Sequence, residues 1–130
     1  MNDIGVRRFE MNELEIEKFF VYVWEYIVKE EAKFDFERIY GPNGDWVQLF
    51  NKSEGYLGTE LHRDISNDLR YLTTDYWVSK EARDVFREQF AQEFAELDQR
   101  CESLTEKELF LGDFESFSPY RRLRKNPFHL

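Results

Sequence analysis

The clearest pattern in the sequence is an alternating stretch from Phe19 to Val28, in which almost every position is apolar. Even positions 20–26 are aromatic, and odd positions are apolar apart from Glu25, so both faces of a strand would be apolar. A strand of this kind must be covered on both sides. One layer of helices covers only one face, so the pattern predicts that a second copy of the domain covers the other.

The rest of the chain predicts six further elements. The helical spacing of apolar residues indicates the helices, and turn-forming residues mark the boundaries between elements. In chain order they are a helix over 30–40, a short helix capped by Asp45, a hairpin of two strands within 55–79, a helix from the cap Ser79 to about Glu102, and a strand over 106–115. On the long helix, the polar positions, Arg83 and Arg87 among them, are expected to face solvent.

This order of strands and helices predicts an α+β fold of the ferredoxin-like β-α-β-β-α-β plan, with a four-stranded antiparallel sheet and both main helices on one face. The open face of the sheet is then expected to pack against a second protomer, forming a dimeric α/β barrel. We divide the 130 residues into an N-terminal extension (1–18), one folded domain (19–115) and a basic tail (116–130).

Charge and composition narrow the class of protein. A net charge of −9 disfavours binding to nucleic acid, whose phosphates an acidic surface repels. The tail is basic, with Arg121, Arg122, Arg124 and Lys125. It is expected either to be solvated or to lie across its own domain or a partner subunit.

The chain is expected to be a cytoplasmic protein. A single cysteine, Cys101, excludes an internal disulfide framework and fits a reducing compartment. The first residues lack the pattern of a secretory signal, and no apolar run is long enough to span a bilayer. Two histidines, one of them in the tail, do not predict a metal site.

Four sequence motifs carry a resemblance to a known family: Tyr40–Trp46, Gly55–Leu61, Leu97–Thr105 and above all Arg70–Ala82, a strand that ends in Trp77 and runs into a helix. On these motifs the chain resembles the antibiotic biosynthesis monooxygenase superfamily, the dimeric α/β barrels. The resemblance covers the stretch from Phe19 to Phe114.

The resemblance implies a pocket between sheet and helices in each protomer. In the cofactor-independent oxygenases of this superfamily, an aromatic substrate loses a proton there, and its carbanion reacts directly with oxygen without flavin or metal. The superfamily also contains haem-degrading enzymes, which use a histidine about ten residues after the strand-ending tryptophan and an asparagine on the first strand. This chain has Arg87 at that helical position and no asparagine on strand one, so haem degradation fits poorly.

Three residues are candidates for acid–base catalysis: His62, Asp75 and Glu25. The pKa of histidine lies near neutrality, and a carboxyl buried in an apolar strand has a raised pKa. Each has a simpler interpretation. His62 lies where a strand meets a turn, Glu25 could pair with an arginine across a dimer or lie at a wet rim, and Asp75 presents a similar choice.

Five residues are candidates for substrate contact: Trp77, Tyr22, Trp24, Tyr26 and Arg63. The resemblance implies that Trp77 borders the pocket, although it could equally plug the junction of strand and helix. The aromatic residues of strand one line a cavity if their face meets the helices, and fill the barrel interior if it meets the other sheet.

Two functions therefore follow from the sequence. The first is a homodimeric, cofactor-independent monooxygenase that acts on an aromatic or polycyclic molecule. The second is a non-catalytic binding or interaction module on the same fold, in which the chain's own aromatic side chains fill the pocket.

Overall fold

A computed structural model describes residues 16–119 and shows four strands and four helices there. The strands are β1 (Ile16–Val28), β2 (Tyr56–Asp64), β3 (Asn67–Trp77) and β4 (Thr105–Pro119). The helices are α1 (Lys33–Tyr40), α2 (Asp45–Phe50), α3 (Lys80–Gln89) and α4 (Ala91–Cys101), with single 3₁₀ turns at Glu30–Ala32 and Glu102–Leu104. Most of the predicted N-terminal extension and of the basic tail lies outside the described residues.

The four strands form one antiparallel sheet in the order β2-β3-β1-β4. This order confirms the predicted ferredoxin-like plan, in which each βαβ half places its helices on the same face of the sheet. Strand β1 is central, and its register with β3 sets Tyr22 opposite Asp75. Within residues 16–119, no helix is long and apolar enough to cross a membrane.

The hydrophobic core lies between the inner face of the sheet and the helices. Strand β1 contributes its even positions to this face, so its aromatic side chains meet the helices. Rings of Phe36 and Tyr40 from α1 stack with centroids 4.2 Å apart, and the ring of Tyr26 lies edge-on to both. Aromatic packing of this kind absorbs much of the unusually high aromatic content.

Strands β1 and β4 are both longer than predicted. Strand β1 begins at Ile16 rather than Phe19, and β4 continues past Glu115 to Pro119. The two extensions pair with each other, Ile16 opposite Pro119 and Phe19 opposite Ser116. Backbone hydrogen bonding between them sustains strands whose side-chain pattern alone is weak.

The helix predicted from Ser79 to Glu102 is two helices, because the backbone leaves helical geometry at Phe90. Apolar spacing continues through the break, since the ring of Phe86 contacts both Phe90 and Phe94. Periodicity therefore could not reveal it. The predicted cap Ser79 is confirmed, because its side chain accepts a hydrogen bond from the Ala82 amide at 3.0 Å.

The prediction that Asp45 caps the short helix is wrong. Gly44 occupies the cap position, and Asp45 is the first residue of α2 without a capping hydrogen bond. Its carboxylate instead lies 3.7 Å from the guanidinium of Arg100 on α4. The cap position requires extended backbone geometry, which Gly44 adopts one residue earlier.

The outer face of the sheet, opposite the helices, is also largely apolar. It carries Val23 and Ile27 of β1, Leu72 of β3, and Leu109 and Phe114 of β4, the last two nearly half exposed. An exposed apolar face of this kind on a small domain is a characteristic of association surfaces.

A candidate active site between sheet and helices

A cavity of about 350 Å³ lies between the inner face of the sheet and the helices. Its walls come from all four strands and from every helix of the described chain. The lining residues are Tyr22, Trp24, Tyr26, Tyr40, Trp46, Phe50, Thr59, Thr73, Asp75, Arg87, Phe94, Asp98 and Glu108. The volume lies at the small end of the range for small-molecule sites, roughly 300–1,000 Å³.

One wall of the cavity is aromatic. Tyr22, Trp24 and Tyr26 occupy alternate positions of β1 and therefore project from the same face. The rings of Trp24 and Tyr26 stack at 6.3 Å, and Tyr26 continues edge-on to Tyr40 at 5.1 Å. A continuous aromatic wall of this kind offers stacking contacts to a flat, apolar ligand.

The hydroxyls on this wall stay protonated at physiological pH. Burial raises the pKa values of Tyr22, Tyr26 and Tyr40, and the neighbouring Asp75 raises that of Tyr22 further, against the lowering effect of Arg87 and Arg83. Neutral phenols donate hydrogen bonds, so the wall combines flat apolar surface with fixed donors.

Asp75 is the most unusual group in the cavity. It lies in the middle of β3, between Tyr22 of β1 and Thr59 of β2, and only 6% of the residue is exposed. Burial raises its pKa to about 7, while the hydrogen bond from Thr59 and the charge of Arg87 act in the opposite direction. A carboxyl with this pKa can accept a proton and return it at neutral pH.

Arg87 supplies positive charge to the cavity from α3. Its guanidinium lies 5.3 Å from the ring centroid of Tyr22 and 5.7 Å from that of Phe94. Within residues 16–119, no carboxylate lies within ion-pair distance of it. The side chain is therefore stacked on the rings and available to a negatively charged group in the cavity.

One turn earlier on α3, Arg83 has a structural role. Its side chain is buried, with its guanidinium 4.9 Å from the ring centroids of both Phe20 and Tyr22. Asp84 and Asp113 pair with it at 3.0 and 3.7 Å. The prediction that Arg83 faces solvent is therefore wrong, because the aromatic side chains of β1 hold it against the sheet. Arg87 is exposed, as predicted, although its side chain also lines the cavity.

Two carboxylates complete the lining from α4 and β4. Asp98 and Glu108 are exposed residues that line the cavity where it opens to solvent. Partial burial raises the pKa of Glu108, and the neighbouring Asp98 and Glu102 raise it further, while a hydrogen bond from Thr105 lowers it.

Four of the predicted site residues come together in this cavity: Tyr22, Trp24, Tyr26 and Asp75. The aromatic face of β1 meets the helices, which decides between the two orientations that the sequence left open. The roles of these residues stay predictions, but their shared location makes them one site.

Trp77 does not line the cavity. It is completely buried, and its ring packs against those of Phe50, Tyr56 and Phe86 at 5.3–5.7 Å. It therefore plugs the junction between β3 and the helices, the simpler of its two interpretations. Phe50 lies between it and the cavity as one of the lining residues.

His62, Glu25 and Arg63 also lie away from the cavity. His62 and Glu25 project from the outer face, where His62 faces Glu60 at 3.4 Å and Glu25 pairs with Arg70 of the same chain at 2.5 Å. Arg63 pairs with Glu37 of α1 at 3.0 Å, at the far end of the hairpin. Strand alternation places His62 and Glu25 on the outer face, because adjacent positions project to opposite faces, whereas Arg63 lies on the inner face but near the turn.

Sequence reasoning missed Thr59, Thr73 and Arg87 as cavity residues. Thr73 lies opposite Trp24, and Thr59 lies opposite Asp75, so the strand register would have found both. Arg87 lies one helical turn after Arg83, so the spacing predicts that they share a helix face. It does not predict that this face packs on aromatic side chains. Among the described residues, no cluster of three or more histidine, cysteine or acidic side chains could hold a metal ion.

Comparison with known proteins establishes the fold. No protein-family model matches the chain, and no curated protein is significantly similar to it in sequence. Among solved structures, a point mutant of SnoaB, a cofactor-independent oxygenase from Streptomyces nogalater, superimposes with a TM-score of 0.61 at 21% identity, over 75% of this chain and 92% of SnoaB. The chain has the fold of the antibiotic biosynthesis monooxygenases.

Two further structures extend this likeness. A structure described as an antibiotic biosynthesis monooxygenase matches with a TM-score of 0.53 at 13% identity, over 75% of this chain and 94% of its own. A protein from Shewanella oneidensis matches with a TM-score of 0.60 at 14% identity, over 80% of this chain and 99% of its own. At these identities the likeness concerns fold, so the chemistry of this chain must be argued from its own cavity.

Proposed function

We propose that this protein binds an aromatic small molecule in the cavity and oxygenates it without a cofactor. The observation that carries the proposal is Asp75, a buried carboxyl with a pKa of about 7 that faces a cavity walled by aromatic rings. Proton abstraction from a carbon acid needs a base of this kind, held close to an apolar ligand. Fold likeness to SnoaB, a cofactor-independent oxygenase, supports the same reaction class.

In the proposed reaction, the carboxylate of Asp75 takes a proton from an activated CH₂ group, and the electron pair of the broken C–H bond stays on the substrate. The resulting carbanion reacts with molecular oxygen, and a C–O bond forms. Loss of the second hydrogen and cleavage of the O–O bond give a ketone and water. One CH₂ group and one O₂ thus become one C=O group and one H₂O, and all electrons come from the substrate.

Negative charge develops on the substrate during this sequence, so donors around it should stabilise the transition state. Arg87 is the cationic group among the described lining residues, and Tyr22, over whose ring its guanidinium lies, is a neutral donor beside Asp75. A substrate stacked on the β1 wall would place its forming oxyanion within reach of both.

We expect Arg87→Gln to lower the rate of oxygenation about 10- to 100-fold, because one preorganised charge is lost. The charge of Arg87 also favours the ionised form of Asp75, so its removal should move the acidic limb of the pH–rate profile upward. Oxygen consumption measured from pH 5 to 9 tests both effects. Arg100→Gln, which removes an exposed arginine outside the cavity, is the matched control, and equal losses in both variants would contradict the assignment.

Native mass spectrometry, followed by oxygen-electrode measurements, tests the function as a whole. Protein purified gently from its own host reports any retained molecule, and a panel of polycyclic aromatic ketones with an activated ring CH₂ group, with haem for comparison, then identifies the chemical class that binds. The proposal expects an aromatic adduct and oxygen uptake equimolar with product. Binding without oxygen uptake for every member of the panel would leave a binding module and refute the oxygenase.

The alternative of a non-catalytic module has less support in the form that the sequence suggested. It expects the chain's own aromatic side chains to fill the pocket and no titratable group to face it. The cavity has a volume of about 350 Å³, and Asp75 and Arg87 both line it.

We propose further that the protein is a homodimer joined through the outer face of the sheet. The substitution Phe114→Lys should then give a monomer at micromolar concentration, because a charge would replace an apolar side chain that is already half exposed in one chain. Sedimentation velocity measures the change. Phe34→Lys replaces an exposed phenylalanine on the opposite side, on α1, and should leave the dimer intact. A monomeric wild-type protein would refute the proposed dimer.

A further inference from the structure

A chain of two hydrogen bonds ends at the buried carboxyl of the cavity. The hydroxyl oxygen of Tyr56 lies 2.5 Å from Thr59 Oγ1, and Thr59 Oγ1 lies 2.6 Å from Asp75 Oδ1. A threonine hydroxyl has one hydrogen, which Thr59 donates to the carboxylate. Tyr56 must therefore donate to Thr59, and the chain runs in one direction, from phenol to carboxylate.

A β-bulge in β2 makes this chain possible. Tyr56 and Thr59 are three residues apart, and in a regular strand they would project to opposite faces. The register shifts between Tyr56 and Gly58, where Tyr56 lies opposite Trp77 and Gly58 opposite Tyr76. One extra residue, Leu57, reverses the alternation, so that both hydroxyls reach the inner face.

Surrounding packing holds both hydroxyls in place. The ring of Tyr56 lies 5.3 Å from those of Trp77 and Phe50, and Thr59 stands directly opposite Asp75 in the strand register. Burial raises the pKa of Tyr56, so it remains a donor throughout the physiological range. Among residues 16–119, no donor is hydrogen-bonded to the second oxygen of the carboxyl, Oδ2.

We propose that Tyr56 and Thr59 are positioning residues, which hold Asp75 Oδ1 so that Oδ2 takes the proton of the substrate. This inference rests on the proposed function. In the step concerned, a C–H bond of the substrate breaks, an O–H bond forms at Oδ2, and the negative charge moves from the carboxylate to the substrate. Thr59 donates to Oδ1 before and after the transfer.

Other groups also face Asp75, and their effects must be separated from that of Thr59. Tyr22 and Tyr26 approach from β1 and Arg87 from α3, all through space, while Asp98 of α4 and Glu108 of β4 line the same cavity. Thr59 is the described residue that touches the carboxyl through a hydrogen bond. Removing its hydroxyl while keeping its shape therefore isolates the proposed contact.

The test compares Thr59→Val with Thr59→Ser in the full-length protein. The pKa of Asp75 is read from its ¹³C carboxyl chemical shift across a pH titration, which needs no substrate. Loss of a hydrogen bond to the ionised form should raise this pKa by about 1 pH unit or more in Thr59→Val. Thr59→Ser retains the hydroxyl and should restore the wild-type value.

Two further variants sharpen the result. Tyr56→Phe should raise the pKa of Asp75 by less than Thr59→Val, because the direct donor remains. Thr74→Val removes a hydroxyl from the outer face of β3, next to Asp75 in sequence, and should leave the titration unchanged.

Each outcome is decisive. An unchanged Asp75 titration in Thr59→Val, or the same change in Thr59→Ser, would overturn the positioning role whether or not the protein is an oxygenase. A raised pKa that serine restores supports the hydrogen-bond chain. If the pKa changes as expected but wild type oxygenates no polycyclic substrate with an activated CH₂ group, the hydrogen-bond chain is supported and the proposed function fails.

Discussion

Asp75→Asn should stabilise the protein at pH 8 by about 2–4 kcal/mol relative to wild type. Burial raises the pKa of this carboxyl from its ordinary value of 3.8 to about 7. Above pH 7 the folded protein must therefore hold a charge in an apolar site, and each pKa unit corresponds to about 1.4 kcal/mol. Asparagine has the same shape and can still accept the hydrogen bond from Thr59, but it carries no charge.

The pH dependence identifies the cause. Between about pH 4 and 7 the folded wild type binds a proton at Asp75 that the unfolded chain does not. The contribution of Asp75 to the free energy of unfolding therefore falls as the pH rises. The advantage of Asp75→Asn should therefore be absent at pH 4, grow up to about pH 7 and then level off. Chemical denaturation at pH 4, 5.5, 7 and 8.5 measures this curve.

A matched control substitution should lower the stability at neutral pH rather than raise it. Lys33 lies 2.9 Å from Asp68 and holds the pKa of that exposed carboxyl below its usual range. Asp68→Asn should therefore lose a little stability at neutral pH. Parallel curves of stability against pH for Asp75→Asn and wild type would mean that Asp75 has an ordinary pKa. That result would contradict the proposal that Asp75 is a base with a raised pKa.

The same substitution should abolish oxygenation. Asparagine cannot accept the substrate proton, and general-base catalysis contributes roughly 10²- to 10⁴-fold to a rate. Because the variant is expected to be more stable than wild type at pH 8, its inactivity cannot be attributed to unfolding. An active Asp75→Asn variant would show that another group removes the proton.

The second large effect separates two tryptophans. Trp77→Ala should cost about 3–5 kcal/mol of folding free energy, because a fully buried ring packed on three other rings is removed. A loss of this size approaches the total stability of many domains. Trp24 is half-buried and lines the cavity, so Trp24→Ala should cost only about 1–2 kcal/mol.

Binding should follow the opposite order. Trp24→Ala removes part of the aromatic wall and should weaken the binding of a polycyclic quinol about tenfold or more in a folded protein. Trp77→Phe keeps most of the packing, and the indole N–H of Trp77 has no hydrogen-bond partner among the described residues, so this variant should fold and bind. A folded Trp77→Phe that no longer binds, together with a Trp24→Ala that does, would return Trp77 to the site.

The sequence alone determined the architecture. The signals that predicted it depend only on residues close together in sequence. They are the alternation along β1, the helical spacing after it and the cap at Ser79. The order of elements then left few topologies, because βαβ crossovers have one hand. Even the aromatic cavity wall of Tyr22, Trp24 and Tyr26 was visible as a stripe, although not which side it faced.

Only the tertiary structure decided which polar groups share the site. Asp75 becomes unusual because β1 and β2 flank it and the helices exclude water. Its two strand neighbours, Thr59 and Tyr22, are 16 and 53 positions away in sequence. The bulge at Leu57 turns Tyr56 inward against the strand period, and the aromatic surface beneath α3 draws Arg87 to the cavity. Periodicity reports the direction of a side chain within its own element, whereas burial and pKa depend on what distant elements place around it.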